Sequence, residues 1–473
     1  MRAPRRADDP TPAAGRGPGH GPVPRAAPGA GPGEPYGPAA TPRASAPRRS
    51  QVLAWASWDW GSAAINAVMT TFVFTVYLVS EQFGDTDANS AALSTALAIA
   101  GFAIAVLAPV TGQRSDAGGR RRLWLGVNSG LVAVTTAACF FVYPSPDFLL
   151  LGVSLIALTS IFAEFATVNY YAMLPQISTP ETIGRVSGFG WGMGYLGGIL
   201  ALALVLFGFV QPVVDWPGAA TDDALNLRLV AVFSAVWFLV FALPVLFAVP
   251  EIERQRVQRV CILTSYRQLG QHILRLYRDS RHTLYFLLAS AVFRDGLAAV
   301  FTFGGIIAGG TFGFATSDVI VFAIAGNVVA AVGAMVGGRL DDRFGPKSVI
   351  VGSLIGLVVA ALGVFLSPDS RGFWVFGLLL CLFVGPAQAS SRAYIARLAA
   401  PGREGEIFGL YATTGRAVSF LAPAMFTFAI VLATPHVASG EAQRYGILGI
   451  LLVLLLGLAL LLPVRRPEDV VRI

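Results

Sequence analysis

About twelve stretches of roughly 20 apolar residues run through this chain, near 52–79, 88–111, 122–143, 148–172, 185–210, 226–249, 283–311, 317–337, 347–367, 372–395, 405–432 and 445–463. No other feature limits the possible folds so severely. A backbone crossing hydrocarbon must satisfy its own N–H and C=O groups, so such stretches become helices. Only 13% of the residues are charged and the mean hydropathy is +0.65, where a soluble domain carries about a quarter. The expectation is an all-α integral membrane protein of twelve transmembrane helices.

Cations fix the orientation, because Lys and Arg stay on the cytoplasmic side. Arg43, Arg48 and Arg49 precede the first segment, and Arg114, Arg120, Arg121, Arg122, Arg185, Arg339, Arg343, Lys347, Arg397 and Arg403 follow on alternate connections. The opposite connections are mainly acidic, for example Glu81, Asp85, Asp147 and Asp222. Both termini are therefore expected in the cytoplasm, with the protein multi-pass in the cell inner (plasma) membrane. Five regions follow: a disordered tail over 1–49, six-helix bundles over 50–250 and 282–464, a cytoplasmic linker over 251–281, and a C-terminal tail over 465–473. The net charge of +7 is accounted for by topology and anionic lipid headgroups, without nucleic acid.

The two bundles carry the same signature. Gly112, Asp116, Gly119 and Arg121 in GQRSDAGGRR match Gly338, Asp342, Gly345 and Lys347 in GRLDDRFGPK at a constant offset of 226 (338 − 112). A second echo relates Pro180, Gly184 and Gly188 to Pro401, Gly405 and Gly409 at 221 (405 − 184). The chain is thus read as a parallel repeat of six helices, an architecture that puts a substrate site between the halves near the midplane. Gly lets a neighbouring backbone approach, and the Asp four residues on shares its face. Gly112, Asp116, Arg121, Gly338, Asp342, Arg343, Gly345 and Lys347 are the candidate cytoplasmic gate, a latch of ion pairs made and broken as the halves rock. The plainer alternative, loops that are merely basic, does not explain recurrence at one offset.

The pattern GxxxDxxGxK resembles the cytoplasmic loop signature of the major facilitator superfamily. SWDWGSAAINAVMTTFVFTVY (57–77), YAMLPQISTPETIGRVSGFGWGMGYLGG (171–198), FRDGLAAVFTFGG (293–305) and QASSRAYIARLAAPGREGEIFGLYATTGR (388–416) are similar to its vacuole-effluxer branch, which includes the fungal autophagy-related amino-acid effluxer. The resemblance spans 52–464 and implies the major facilitator fold and transport. Arg114 and Ala117 depart from the superfamily pattern, so the first loop is expected to be the weaker latch.

Several motifs lead elsewhere and are set aside. GMGYLG at 192–197 matches a dinucleotide fingerprint but lies inside an apolar helix, where Gly190, Gly194 and Gly198 form a packing face. No GxxxxGK[ST] or GxSxG is present, and the four histidines and three cysteines lie apart. No enzyme activity, cofactor or metal is expected. The segment 256–282 is amphipathic with a cationic face, suited either to the membrane surface or to docking on the protein itself.

Ions inside the spans are costly and mark function. They are Asp59, Glu164, Arg294, Asp295 and Arg416, with Asn66 and Asn327 at similar depth. Structural ion pairing is the alternative for each. The substrate site is read as Asn66, Trp191, Tyr195, Arg294, Asp295, Asn327 and Arg416, with Trp191 and Tyr195 as an aromatic wall. Three carboxylates against two arginines leave one acid over. Asp59, only about 9 Å into its helix, or Glu164 is the proton-coupling candidate, and Asp295 is expected to be held by an arginine. The function expected is a monomeric secondary transporter moving a small polar or zwitterionic metabolite, such as an amino acid, by alternating access. Proton coupling and efflux rest partly on the resemblance. A membrane scaffold or receptor recruiting a partner through the tail is the alternative.

Overall fold

Each apolar segment is a helix. The computed structural model describes residues 48–214, 216–251, 262–437 and 442–470. Within them lie twelve helices of spanning length: α1 (Arg49–Leu78), α2 (Thr86–Gly118), α3 (Arg121–Phe141), α4 (Pro146–Gln176), α5 (Ile183–Val210), α6 (Asp222–Ala248), α7 (Arg281–Phe312), α8 (Asp318–Phe344), α9 (Pro346–Leu366), α10 (Ser370–Leu398), α11 (Glu404–His436) and α12 (Ala442–Leu461). The tail before residue 48 and the start of the linker lie outside the described residues.

Local chemistry sets the ends. Asp85 accepts from the backbone N–H of Ala88 at 2.9 Å to start α2, and Asp369 accepts from Gly372 at 2.9 Å to start α10. Gly119 ends α2 in the left-handed conformation at φ 60°, where a side chain would be strained. Among the described spans two are interrupted along their length, and α5 ends in a π-helix over Leu206–Val210. α1 widens to a π-helix over Ile65–Phe72 and kinks at Val73, and α11 breaks between Val418 and Leu421. Such breaks recur where a membrane helix lines a functional cavity.

Packing repeats between the halves. In the first, α2 packs on α4, α3 on α4 and α6, and α1 on α6; in the second, α8 packs on α10, α9 on α10 and α12, and α7 on α12. The same symmetry relates the two joints, since α5 lies on α8 and α11 on α2. The constant sequence offset therefore reports a duplicated bundle.

The linker forms a helix over Ile262–Asp279. It docks by one edge on the protein, with Leu269 buried and the Tyr266 hydroxyl donating to the carbonyl of Val106 at 3.1 Å. Leu274 and Tyr277 remain exposed.

Candidate functional site

The halves meet at the end that bears the signature loops, called here the basic end. Gly112 backs onto the Gly405 carbonyl, and a Cβ on Gly338 would lie 2.5 Å from the Gly184 carbonyl oxygen. Side chains complete each joint. Asp116 accepts from the backbone N–H of Glu406 at 3.0 Å, at the start of α11. Asp342 accepts from Gly184 and Arg185 at 2.8 and 3.1 Å, at the start of α5. Each signature Asp thus caps the N-terminus of a helix in the opposite half, where the helix dipole and unpaired N–H groups favour an anion. The two sequence echoes are the two faces of one contact, made twice.

Around these caps the copies diverge. Arg121, almost wholly buried, joins Asp116 at 2.6 Å and also Glu404 across the joint. The first loop, expected to be the weaker latch, is the more deeply buried. Its departures at Arg114 and Ala117 leave Gly112, Asp116 and Arg121 intact. In the second copy Arg397 joins Asp341 at 2.5 Å and Asp342 at 3.6 Å, and Arg185 approaches Asp342 at 3.6 Å. Lys347 does not bridge the halves. It donates to the carbonyls of Leu462 and Val464, just past the end of α12, at 2.7 and 2.5 Å. Arg343 is exposed and stacks on its neighbour Phe344, while Gly345 turns the chain at φ 83°.

One level deeper lies a pair that sequence reasoning missed. Arg392 on α10 is fully buried and enters the first half, where it meets Asp59 at 3.1 Å. It also donates to Ser187 Oγ at 3.0 Å and to the Ser187 carbonyl at 2.7 Å. Its guanidinium carbon lies 4.9 Å from the Trp55 ring centre, 4.8 Å from Tyr171, 5.6 Å from Trp191 and 5.8 Å from Tyr170. Asp59 is therefore partnered, contrary to the charge count. Arg392 looks like part of the end of its segment, yet α10 runs to Leu398, six residues on, which places it about 9 Å inside.

The joints extend about two turns. α11 touches α2 from Gly405 through Gly409 to Thr413, whose hydroxyl donates to Ala105 at 2.8 Å. α5 touches α8 from Gly184 to Gly192. One turn further, Arg416 on α11 reaches Glu164 on α4 at 2.7 Å, with 41% and 19% of their side chains accessible. Tyr195 packs on Trp191 and on Phe301 of α7 at 5.8 and 6.1 Å, so the aromatic wall spans both halves.

Arg294 and Asp295 diverge as helix neighbours must. Arg294 lies over the Tyr411 ring at 3.8 Å. Asp295 has no arginine, contrary to expectation; it accepts from the N–H of Ala422 at 2.6 Å, capping the second part of the broken α11. The break supplies free N–H groups, which hold the carboxylate in place of a cation. Asn66 is exposed and its carbonyl accepts from Thr70 and Thr71, while Asn327 donates to Ala323 within its own helix. Among the described residues, neither joins the charged pair.

The profile of the family described as vacuole effluxer Atg22 like matches residues 75–469. The chain is 28% identical over 378 residues to the MFS-type transporter YxiO of Bacillus subtilis strain 168, covering 78% of this chain and 86% of that one. It is 25% identical over 269 residues to autophagy-related protein 22 of Cryptococcus neoformans, covering 51% and 45%. Among solved structures, a bacterial homologue of the iron transporter ferroportin in an outward-facing state superposes with TM-score 0.65 at 14% identity, covering 88% and 98%. The proton:xylose symporter XylE does so with TM-score 0.62 at 14% identity, covering 86% and 93%. The twelve-helix duplicated fold and these likenesses agree: the chain is a secondary transporter of the major facilitator superfamily and belongs to the vacuole effluxer Atg22-like family.

Proposed function

We propose that this transporter moves a small zwitterionic metabolite, an amino acid being the simplest member, and that the state described here is sealed at the cytoplasmic side. The observation that carries the reading is the Glu164–Arg416 pair. It offers one acid from the first half and one base from the second, both partly accessible, one turn beyond the sealed joint. A zwitterion can replace both ends of such a pair, its carboxylate on Arg416 with Arg294 nearby and its ammonium on Glu164. Trp191 and Tyr195 supply an apolar wall. Asp295 is committed to capping α11 and drops out as an amine partner, and Asn66 and Asn327 line the approach.

Gly112, Asp116, Arg121, Gly338 and Asp342 form the gate in this reading, with Glu404 and Arg397 as their partners; Arg343, Gly345 and Lys347 shape the second loop. Asp59 and Glu164 remain the coupling carboxylates for a new reason. Each is held by an arginine of the other half, so each needs a new counter-charge when the halves part at its level, either a proton or a substrate cation. The protein works as a monomer in the plasma membrane, with both termini cytoplasmic and the substrate driven outward in exchange for protons.

A thermal-shift screen of the purified protein tests the substrate class, since a ligand bound to the folded state alone stabilises it by about 2.7 kcal/mol at a hundredfold excess over its Kd. Zwitterions should raise Tm in the wild type and not in Arg416→Ala or Glu164→Gln. Stabilisation by neutral sugars or dianions instead, or an unchanged response in both variants, would overturn the assignment.

A further inference from the structure

The first half contains a receptor for a cation that, among the described residues, is filled by a cation of the second half. Asp59 and Trp55 come from α1, Tyr170 and Tyr171 from α4, and Ser187 and Trp191 from α5. Together they present a carboxylate, two oxygen acceptors and the aromatic faces of Trp55, Tyr171 and Trp191, with Tyr170 stacked between Trp55 and Trp58 as a backing, the arrangement that binds ammonium and guanidinium groups. Gly190 leaves room at its centre, since a Cβ there would lie 2.7 Å from Trp55, 2.8 Å from Asp59 and 2.9 Å from Arg392. The occupant is supplied by the second half, through Arg392. The buried Trp191 indole N–H has no acceptor in this state, so the cage holds a donor that its present occupant cannot use.

We propose that this cage is the binding site for the cationic group of the substrate, an ammonium or guanidinium, on the basic side, and that Arg392 is a tethered surrogate that displaces it as that side closes. The inference rests on the alternating-access reading above. When the halves part at the basic end, α10 withdraws and Arg392 leaves with it. Asp59 is then a carboxylate in an aromatic pocket without a counter-charge, which strongly favours uptake of a cation. The Trp191 N–H stands ready for an anionic group of the same ligand. Closure brings Arg392 back and expels the ammonium toward Glu164, which lies six residues before Tyr170 on α4, about 9 Å along the axis. Competition between a fixed arginine and a mobile amine orders binding and release without further parts. A purely structural ion pair that loses its arginine also takes a guanidinium into the vacated space, so Asp59-dependent binding of methylammonium, and binding with Arg392 still present in a protein wedged open, are the results that distinguish the cage.

The test uses the full-length protein in detergent or nanodiscs, with methylammonium and methylguanidinium chlorides as probes against sodium chloride at equal ionic strength. In Arg392→Ala both probes should raise Tm saturably, binding at least tenfold more tightly than to the wild type, and Asp59→Asn in the same background should abolish the effect. If Arg392→Ala does not fold, Gly338→Trp provides a second route. The wedge against Gly184 holds the basic side open with the cage residues intact, and Asp59-dependent binding of the probes is again expected. Absence of saturable, Asp59-dependent binding in the variant that folds overturns the proposal. Flux is a separate readout. Zwitterion transport by Asp59→Asn with wild-type KM would overturn the cage and leave transport standing. Asp59-dependent cation binding in a protein that moves no zwitterion would support the cage and overturn the transport reading.

Discussion

Replacing Gly338 with alanine adds one methyl group where the halves touch, and the account makes its effect large. The new Cβ would lie 2.5 Å from the Gly184 carbonyl oxygen, 3.0 Å from the Cα of Arg185 and 3.1 Å from the carbonyl carbon of Gly184. All three are backbone atoms at the capped start of α5, so no side chain can turn away, and the two helices must separate. Overpacking of this kind costs about 1–3 kcal/mol. That cost falls only on the state in which the basic end is sealed, so the ratio of sealed to open molecules should drop by roughly 5- to 150-fold. Spin labels at Arg120 and Arg343, exposed on opposite halves at this end, would read the change by double electron–electron resonance in a background lacking Cys139, Cys261 and Cys381. The wild type should give a short distance and Gly338→Ala a longer component that Gly112→Ala reproduces. An unchanged distribution in both variants would refute the claim that these glycines set the closed state.

Three further outcomes are expected. Asp116→Asn should lower stability more than Asp342→Asn, because Asp116 and Arg121 are buried and only Glu404 is left to balance the arginine, whereas the second loop loses a part-exposed cap worth about 0.5–2 kcal/mol; thermal unfolding of both variants checks the order. Cysteine at Thr221 should react with an impermeant thiol reagent in intact cells and cysteine at Arg278 only after permeabilisation, and the reverse pattern would invert the proposed topology. Removing residues 1–44 should leave flux within about twofold of the wild type, whereas a scaffold that works through its tail would lose its function.

Hydropathy made the twelve helices legible and the constant offset made the duplication legible, because both are properties of one chain read along its length. The positions where the halves touch were legible for the same reason: Gly112 and Asp116 recur as Gly338 and Asp342. The partners were not. Asp59 and Arg392 lie 333 residues apart, and nothing in either segment encodes which helix of the other half it will face. Arg392 was also disguised by position, close enough to the end of its span to pass for one of the basic residues that set topology. Asp295 illustrates a different limit. Its partner is a pair of backbone N–H groups freed by the break in α11, and a count of charged side chains has no place for them. Lys347 shows that equivalent positions in a repeat need not keep one role once their surroundings differ.

The central claim is that the two halves pass a zwitterion between them, and flux across a membrane tests it most directly. Vesicles containing the purified protein would be loaded with a mixture of amino acids and related neutral, anionic and cationic metabolites, placed under a pH gradient, and analysed by mass spectrometry for what leaves. The account predicts that one or a few zwitterions are lost much faster than from protein-free vesicles, and that Arg416→Ala abolishes the loss while the variant remains folded. If the inserted, folded wild type releases no zwitterion faster than empty vesicles do, or if Arg416→Ala releases them equally fast, the account is wrong.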